Sequence, residues 1–188
     1  DLGWYGKKTE VVGRFFGGSE KTGMGWDGVD YNTAYGLNGA DRRYNPAGEY
    51  TTTAADGSDS VAYYPNQTDN YAQQHAQLSI RHRLTPQWSL AATAHYTHGA
   101  GYYEQYKRKK LSYWGLPYSH KAYGMYRKQL DNHFFGAVLT AKYISEPIDV
   151  QLGAAANHYM GDHFGTLHYL EDSLVLPINY EYRSEERR

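Results

Sequence analysis

Apolar and polar residues alternate with a period of two along two consecutive stretches, residues 71–84 and 88–100. In the first, Ala72, Ala76, Leu78, Ile80 and Leu84 fall on one side, and Gln73, His75, Gln77, Ser79, Arg81 and Arg83 on the other. That period places successive side chains on opposite faces of a strand. In the second, Trp88, Leu90, Ala92, Ala94 and Tyr96 oppose Ser89, Ala91, Thr93, His95 and Thr97. Joined at Leu84-Thr85-Pro86-Gln87-Trp88, the two predict a hairpin with one apolar and one polar face. His82 is the exception on the apolar side.

The same plan recurs over 133–144 and 148–159. Phe135, Ala137, Leu139, Ala141 and Tyr143 oppose Phe134, Gly136, Val138, Thr140 and Lys142. After Ser145-Glu146-Pro147, Ile148, Val150, Leu152, Ala154 and Ala156 oppose Asp149, Gln151, Gly153, Ala155 and Asn157. A first strand is expected over about 3–16, where Val11, Val12, Phe15 and Phe16 mix the faces, and a further one over 178–183. Residues 17–70, 101–130 and those after Met160 read as long connections rich in Gly, Asn, Asp, Ser and aromatics. No helix is expected. The fold class is therefore an all-β antiparallel meander, with tight turns at one end and large loops at the other.

Composition sharpens this. The 188 residues hold 21 tyrosines and 20 glycines against 5 phenylalanines, and tyrosine suits boundaries between apolar and wet surroundings. A net charge of -1 from 19 basic and 20 acidic residues provides no bulk field for nucleic acid. The absence of cysteine excludes disulfides and thiolate metal sites. No run reaches the ~18 apolar residues of a membrane helix, but a membrane strand needs only about 9–11 alternating ones. The chain runs from Asp1 to Glu185-Glu186-Arg187-Arg188 and is read as a segment of a longer protein.

Three features favour a membrane barrel over a soluble sandwich. The apolar sides are rich in alanine, where a sandwich core needs large side chains to fill a layer about 10 Å thick. Trp88 and Tyr143 near the short turns, and Tyr96, Tyr102 and Tyr103 near the long loops, match interfacial aromatic girdles. Loop lengths are asymmetric, as between periplasmic turns and extracellular loops. The Gln, Arg, Thr and Lys rows would then line a wet interior.

The segments RRYNPAGEY, NQTDNYAQQHAQLSIRHRLTPQWSLAATAHYTHGAGYYEQYK, YGMYRKQLDNHFFGAVLTAKY and AANHYMGDHFG resemble the barrel portion of TonB-dependent outer-membrane receptors, particularly those of Bacteroides-type bacteria. The resemblance runs from about Val12 to His168. It implies a 22-stranded barrel around a plug domain, binding a scarce nutrient such as an iron-siderophore, haem, cobalamin or a glycan. It also implies a Gram-negative outer-membrane location, contact with lipid and lipopolysaccharide, and energy from a TonB-type partner. This chain carries no plug and no TonB-box, and about five strands cannot close a barrel, so an internal fragment is expected.

Residues able to hold a ligand are the loop aromatics: Trp26, Tyr31, Tyr35, Tyr102, Tyr103, Trp114, Tyr118, His120 and Tyr126. Each also has a purely structural reading, packing loop against loop. The nine histidines match no HExxH spacing, and no GxSxG occurs, so neither a catalytic metal nor an enzyme is expected, and no cofactor is implied. Lys107-Arg108-Lys109-Lys110 among aromatics reads as a solvated or lipopolysaccharide-facing loop. Gly17-Gly18 and Gly99-Ala100-Gly101 precede no helix and are not phosphate loops. Asn66-Gln67-Thr68 is a formal glycosylation sequon, irrelevant if the source is bacterial, as the resemblance implies. The competing reading is a soluble, aromatic-rich β-sandwich that binds carbohydrate.

Overall fold

The computed structural model describes residues 1–172, 174, 176, 177 and 179–182. It is all-β, with 66% strand and 7% helix. The strands are β1 (Leu2–Tyr5), β2 (Thr9–Gly23), β3 (Glu49–Thr53), β4 (Asp59–Tyr63), β5 (Thr68–Arg83), β6 (Trp88–Lys110), β7 (Lys121–Ser145), β8 (Ile148–Leu170) and β9 (Tyr180–Tyr182). Seven of them form one antiparallel sheet in the order β1-β2-β5-β6-β7-β8-β9, and β3 and β4 form a separate hairpin. Tight turns at 6–8, 84–87 and 146–147 lie at one end; the connections 24–67, 111–120 and 171–179 lie at the other. The expected asymmetry of the two ends is therefore present.

Several expected boundaries are corrected. The strand placed at 3–16 is a hairpin of β1 and β2, because Lys7 and Lys8 sit in a turn closed by the Gly6 amide donating to the Thr9 carbonyl. The stretch 17–70 is not all loop, for β2 runs on to Gly23 and β5 starts at Thr68. Between them lies a short helix, α1 (Tyr31–Tyr35), where none was expected. Asp30 caps it by accepting from the Asn32 and Thr33 amides, and Gly36, at φ 64°, ends it. The stretch 101–130 is mostly strand: β6 and β7 pair without interruption from Trp88↔Tyr143 to Lys110↔Lys121. Likewise β8 continues past 159 to Leu170. The strand expected at 178–183 is present as Tyr180–Tyr182, while 178 and 183 lie outside the described residues.

Register assigns every side chain to a face. Ile80, Ala92, Leu139 and Ala154 align across four strands on one face, and Arg81, Ala91, Thr140 and Gly153 on the other. The globular rule is reversed here. Along β5 the apolar Ala72, Leu78 and Ile80 are exposed, while Gln73, His75, Gln77 and Ser79 on the polar face are half-buried. On the apolar face Leu139 is 56% and Leu152 66% exposed. Among the described residues no helix is long and apolar enough to cross a membrane, which says nothing of strands.

The true core lies at the loop end. The 111–120 connection, with a 3-10 turn at Leu111–Trp114, folds onto the extended β6–β9 strands. Trp114, Tyr126, Leu167 and Tyr182 form one buried cluster, and Leu111, Leu116 and Ala122 a second beside it. Burial of each large side chain stabilises by roughly 1.5–3 kcal/mol. Gly124 makes room for the Trp114 ring, since a Cβ there would meet it at 2.6 Å. Replacing Gly124→Ala is expected to overpack this cluster and cost about 1–3 kcal/mol, read as a lowered Tm with the rest of the sheet intact.

Candidate functional site

Beyond the apolar band, the polar face turns aromatic. Tyr71 on β5, Tyr103 on β6 and Lys128 on β7 share that face through the pairs Tyr71↔Gly101 and Tyr103↔Lys128. Tyr71 lies flat over β6 because Gly99 and Gly101 carry no side chain; a Cβ at Gly99 would sit 2.0 Å from the Tyr71 hydroxyl. Together with Asp69, Tyr113, His163 and Tyr182 these residues line a cavity of about 590 Å³. Its size falls within the range of small-molecule sites, and its walls combine rings with a few polar groups, as such sites do.

The electrostatics suit a neutral or anionic guest with hydroxyls. Burial alone would lower the pKa of Lys128, but hydrogen bonds to the Tyr103 and Tyr113 hydroxyls win and hold it above its ordinary value. The ammonium also lies over the Tyr103 ring, 5.9 Å from its centre. Tyr182 is 4% exposed and its hydroxyl is buried with no partner among the described residues. A buried hydroxyl without a partner costs about 1–3 kcal/mol, and this one belongs to the closed cluster with Trp114 and Tyr126.

The aromatics expected to bind ligand divide into three groups. Tyr103 lines the cavity, and Trp26 rests its edge on the Tyr103 ring at 4.8 Å while remaining 56% exposed. Trp114 and Tyr126 are core: both are buried, Tyr126 donates to Gln105 Oε1 at 2.7 Å, and burial pushes its phenol well up. They are closed to a ligand. The others are dispersed. Tyr102 borders the cavity, but its ring is on the opposite face, under the Arg127 guanidinium at 4.2 Å. Tyr31 and Tyr35 stack on each other in α1, exposed. Tyr118 packs beside His120, which pairs with Asp172 at 2.8 Å. Tyr102, Tyr103 and Tyr126 are strand residues, not the loop residues expected.

The sequence does not single out Tyr71, Lys128 and Tyr182 for this cavity. The signal that could have found them is register: once β6 and β7 are continued past the apolar band, Lys128 must stand opposite Tyr103. The basic run is also split by the strand, with Lys107 and Lys109 on one face and Arg108 and Lys110 on the other. Lys107 is tied to Asp27 at 3.0 Å and Lys109 lies over Tyr113, so the run forms no continuous cationic platform among the described residues.

A second cavity of about 630 Å³ lies on the polar face at the short-turn end. It is lined by Lys7, Lys8, Arg81, Arg83 and Lys142, with Glu10 as its acidic member. Arg81 reaches Glu10 at 3.9 Å and Lys142 reaches Asp149 at 3.4 Å, long surface pairs worth little each. The chain matches no family model, no curated protein and no solved structure, so its functional reading rests on this geometry and on the sequence.

Proposed function

We propose that this chain is part of the wall of a TonB-dependent outer-membrane receptor, which captures a nutrient at the outer face and admits it without chemistry of its own. The observation that carries the reading is the uncovered apolar face. From Trp88 and Tyr143 at one rim to Tyr96 and Phe135 at the other, it presents Leu90, Ala92, Leu139 and Leu152 with nothing packed on them among the described residues. Water would not tolerate so large a patch on a monomer, and hydrocarbon would.

In this reading strands beyond β1 and β8 complete the barrel, the polar face lines its lumen, and the turns 84–87 and 146–147 lie in the periplasm. The Tyr71–Tyr103–Lys128 cavity faces the outside and receives the nutrient: an iron-siderophore, haem, cobalamin or a glycan. The energy-coupling partner is of TonB type and acts through a region outside this chain; lipid and lipopolysaccharide surround the wall. The soluble carbohydrate-binding sandwich fares worse, because it needs a second sheet over Leu78 and Leu90. These are 47% and 42% exposed, and the β3–β4 hairpin sits at the far end of the molecule.

Fractionation of cells producing the full-length protein tests this. It is expected in the outer-membrane fraction, requiring detergent for release. Recovery as a monomer from periplasm or cytoplasm without detergent would overturn it. Growth of a deletion strain on defined iron and glycan sources then separates the ligand classes.

A further inference from the structure

On the apolar face, one step beyond the Tyr96–Phe135 rim, three potential metal ligands converge. His98 and His133 stand directly opposite each other on β6 and β7, and Asp131 is two residues along β7 on the same face. His98 Nε2 lies 2.8 Å from Asp131 Oδ1, and His133 Nε2 lies 3.5 Å from the same oxygen. One ligand atom from each of the three falls within 4.8 Å of the other two. A tetrahedral zinc centre with bonds of about 2.0–2.1 Å sets its ligand atoms roughly 3.3–3.4 Å apart, and the two measured separations bracket that edge. Small rotations of the side chains would complete it.

Three features set this cluster apart from a chance pairing. The Tyr96 hydroxyl bonds His133 Nδ1 at 2.7 Å, which fixes the ring and leaves Nε2 turned to Asp131. Metal-bound histidines are commonly oriented in this way through their second nitrogen. The rings of His98 and His133 stack at 4.7 Å, so the pair is already ordered. On the other side of Asp131, the register puts Asp162 of β8 directly opposite it on the same face. Like charges directly across a sheet repel, and Asp162 has no ion pair among the described residues. A divalent cation at Asp131 removes that repulsion.

We propose that His98, Asp131 and His133 form a zinc site on the outer surface of the sheet, clamping β6 to β7 just beyond the apolar band. Two imidazoles and one carboxylate favour Zn²⁺ over the oxygen-seeking Mg²⁺ and Ca²⁺. Three protein ligands leave a coordination position for water. The placement follows from register and side-chain geometry, independently of the receptor reading.

The test is calorimetric titration of the full-length, EDTA-treated protein in detergent with zinc chloride, in excess Ca²⁺ and Mg²⁺. The unaltered protein is expected to bind one more zinc than the His98→Ala and His133→Ala variants. The Tyr96→Phe variant should weaken that zinc by about 10–100-fold, as loss of an orienting partner does. The His95→Ala variant, with its ring on the opposite face, should bind like the unaltered protein. Equal zinc uptake by the unaltered protein and the His98→Ala variant overturns the proposal, as does displacement of the zinc by Ca²⁺. Should the variants fail to assemble, cobalt titration of the unaltered protein decides the matter. Visible bands of a four-coordinate centre support the site, and their absence overturns it.

Discussion

On the proposed receptor reading, Leu139→Arg is expected to destabilise the protein in the bilayer by about 2–4 kcal/mol and to lower its outer-membrane level several-fold. Leu139 is midway along the apolar band, paired with Ala92 and Ala154 and 56% exposed. In water, an arginine at so exposed a position would change stability by no more than about 0.5 kcal/mol. In hydrocarbon, it places a guanidinium near the bilayer midplane, where transfer is costly. The neighbouring Thr140→Arg is the control at the same depth: Thr140 faces the wet cavity beside Arg81 and Lys142, so its cost should stay below about 1 kcal/mol. The measurement is reversible unfolding of the full-length protein from lipid vesicles, with membrane levels by immunoblot. Equal and small effects of the two substitutions would remove the lipid-facing assignment.

A second large effect is expected at Glu104, on the part of β6 that rises past the apolar band. Its side chain is 1% exposed. It accepts from the Tyr64 hydroxyl and the Asn66 amide of the 24–67 excursion, and from Arg127 Nε of β7 at 2.6 Å. Glu104→Ala removes all three acceptor bonds and strands Arg127, so a loss of about 3–5 kcal/mol is expected. Glu104→Gln keeps the shape and should lose about 1–3 kcal/mol. Burial alone would raise the Glu104 pKa, but the bonds from Tyr64, Arg127 and Asn66 outweigh it and the net shift is downward. Its contribution is therefore fully present above the ordinary carboxylate value of 4.5 and is lost as pH falls through the lowered folded value. Limited proteolysis of the 24–67 excursion at decreasing pH should show acid opening in the native protein, and opening already at neutral pH in Glu104→Ala. An excursion that stays protected in Glu104→Ala would refute the clamp.

Alternation was legible wherever the two faces meet different surroundings. Leu78 against Gln77, Leu90 against Ser89 and Leu139 against Thr140 reveal strands, faces and the turn end without any structure. It fails at 101–130 for a physical reason. Past the apolar band both faces meet water or folded loop, so Tyr103, Gln105 and Lys107 on one side differ little from Tyr102, Glu104 and Tyr106 on the other. With no contrast there is no period. The candidate site suffers from a related ambiguity. An aromatic at Tyr103 that lines a cavity and one at Tyr126 that closes a core read alike, and what separates them is the 111–120 connection that lies over one of them. Tyr71, Lys128 and His163 come together only through pairing across three strand boundaries, a property of register that no local pattern encodes.

The Glu104 clamp also bears on the order in which the molecule can assemble. The 24–67 excursion is made before β5, yet its anchors are Glu104 on β6 and Tyr123 and Met125 on β7. It closes a long loop between β2 and β5 while gaining none of those contacts until two later strands are in place. The hairpins β5–β6 and β7–β8, with their tight turns, should therefore form first. The excursion should settle last, as a seal applied to a finished wall.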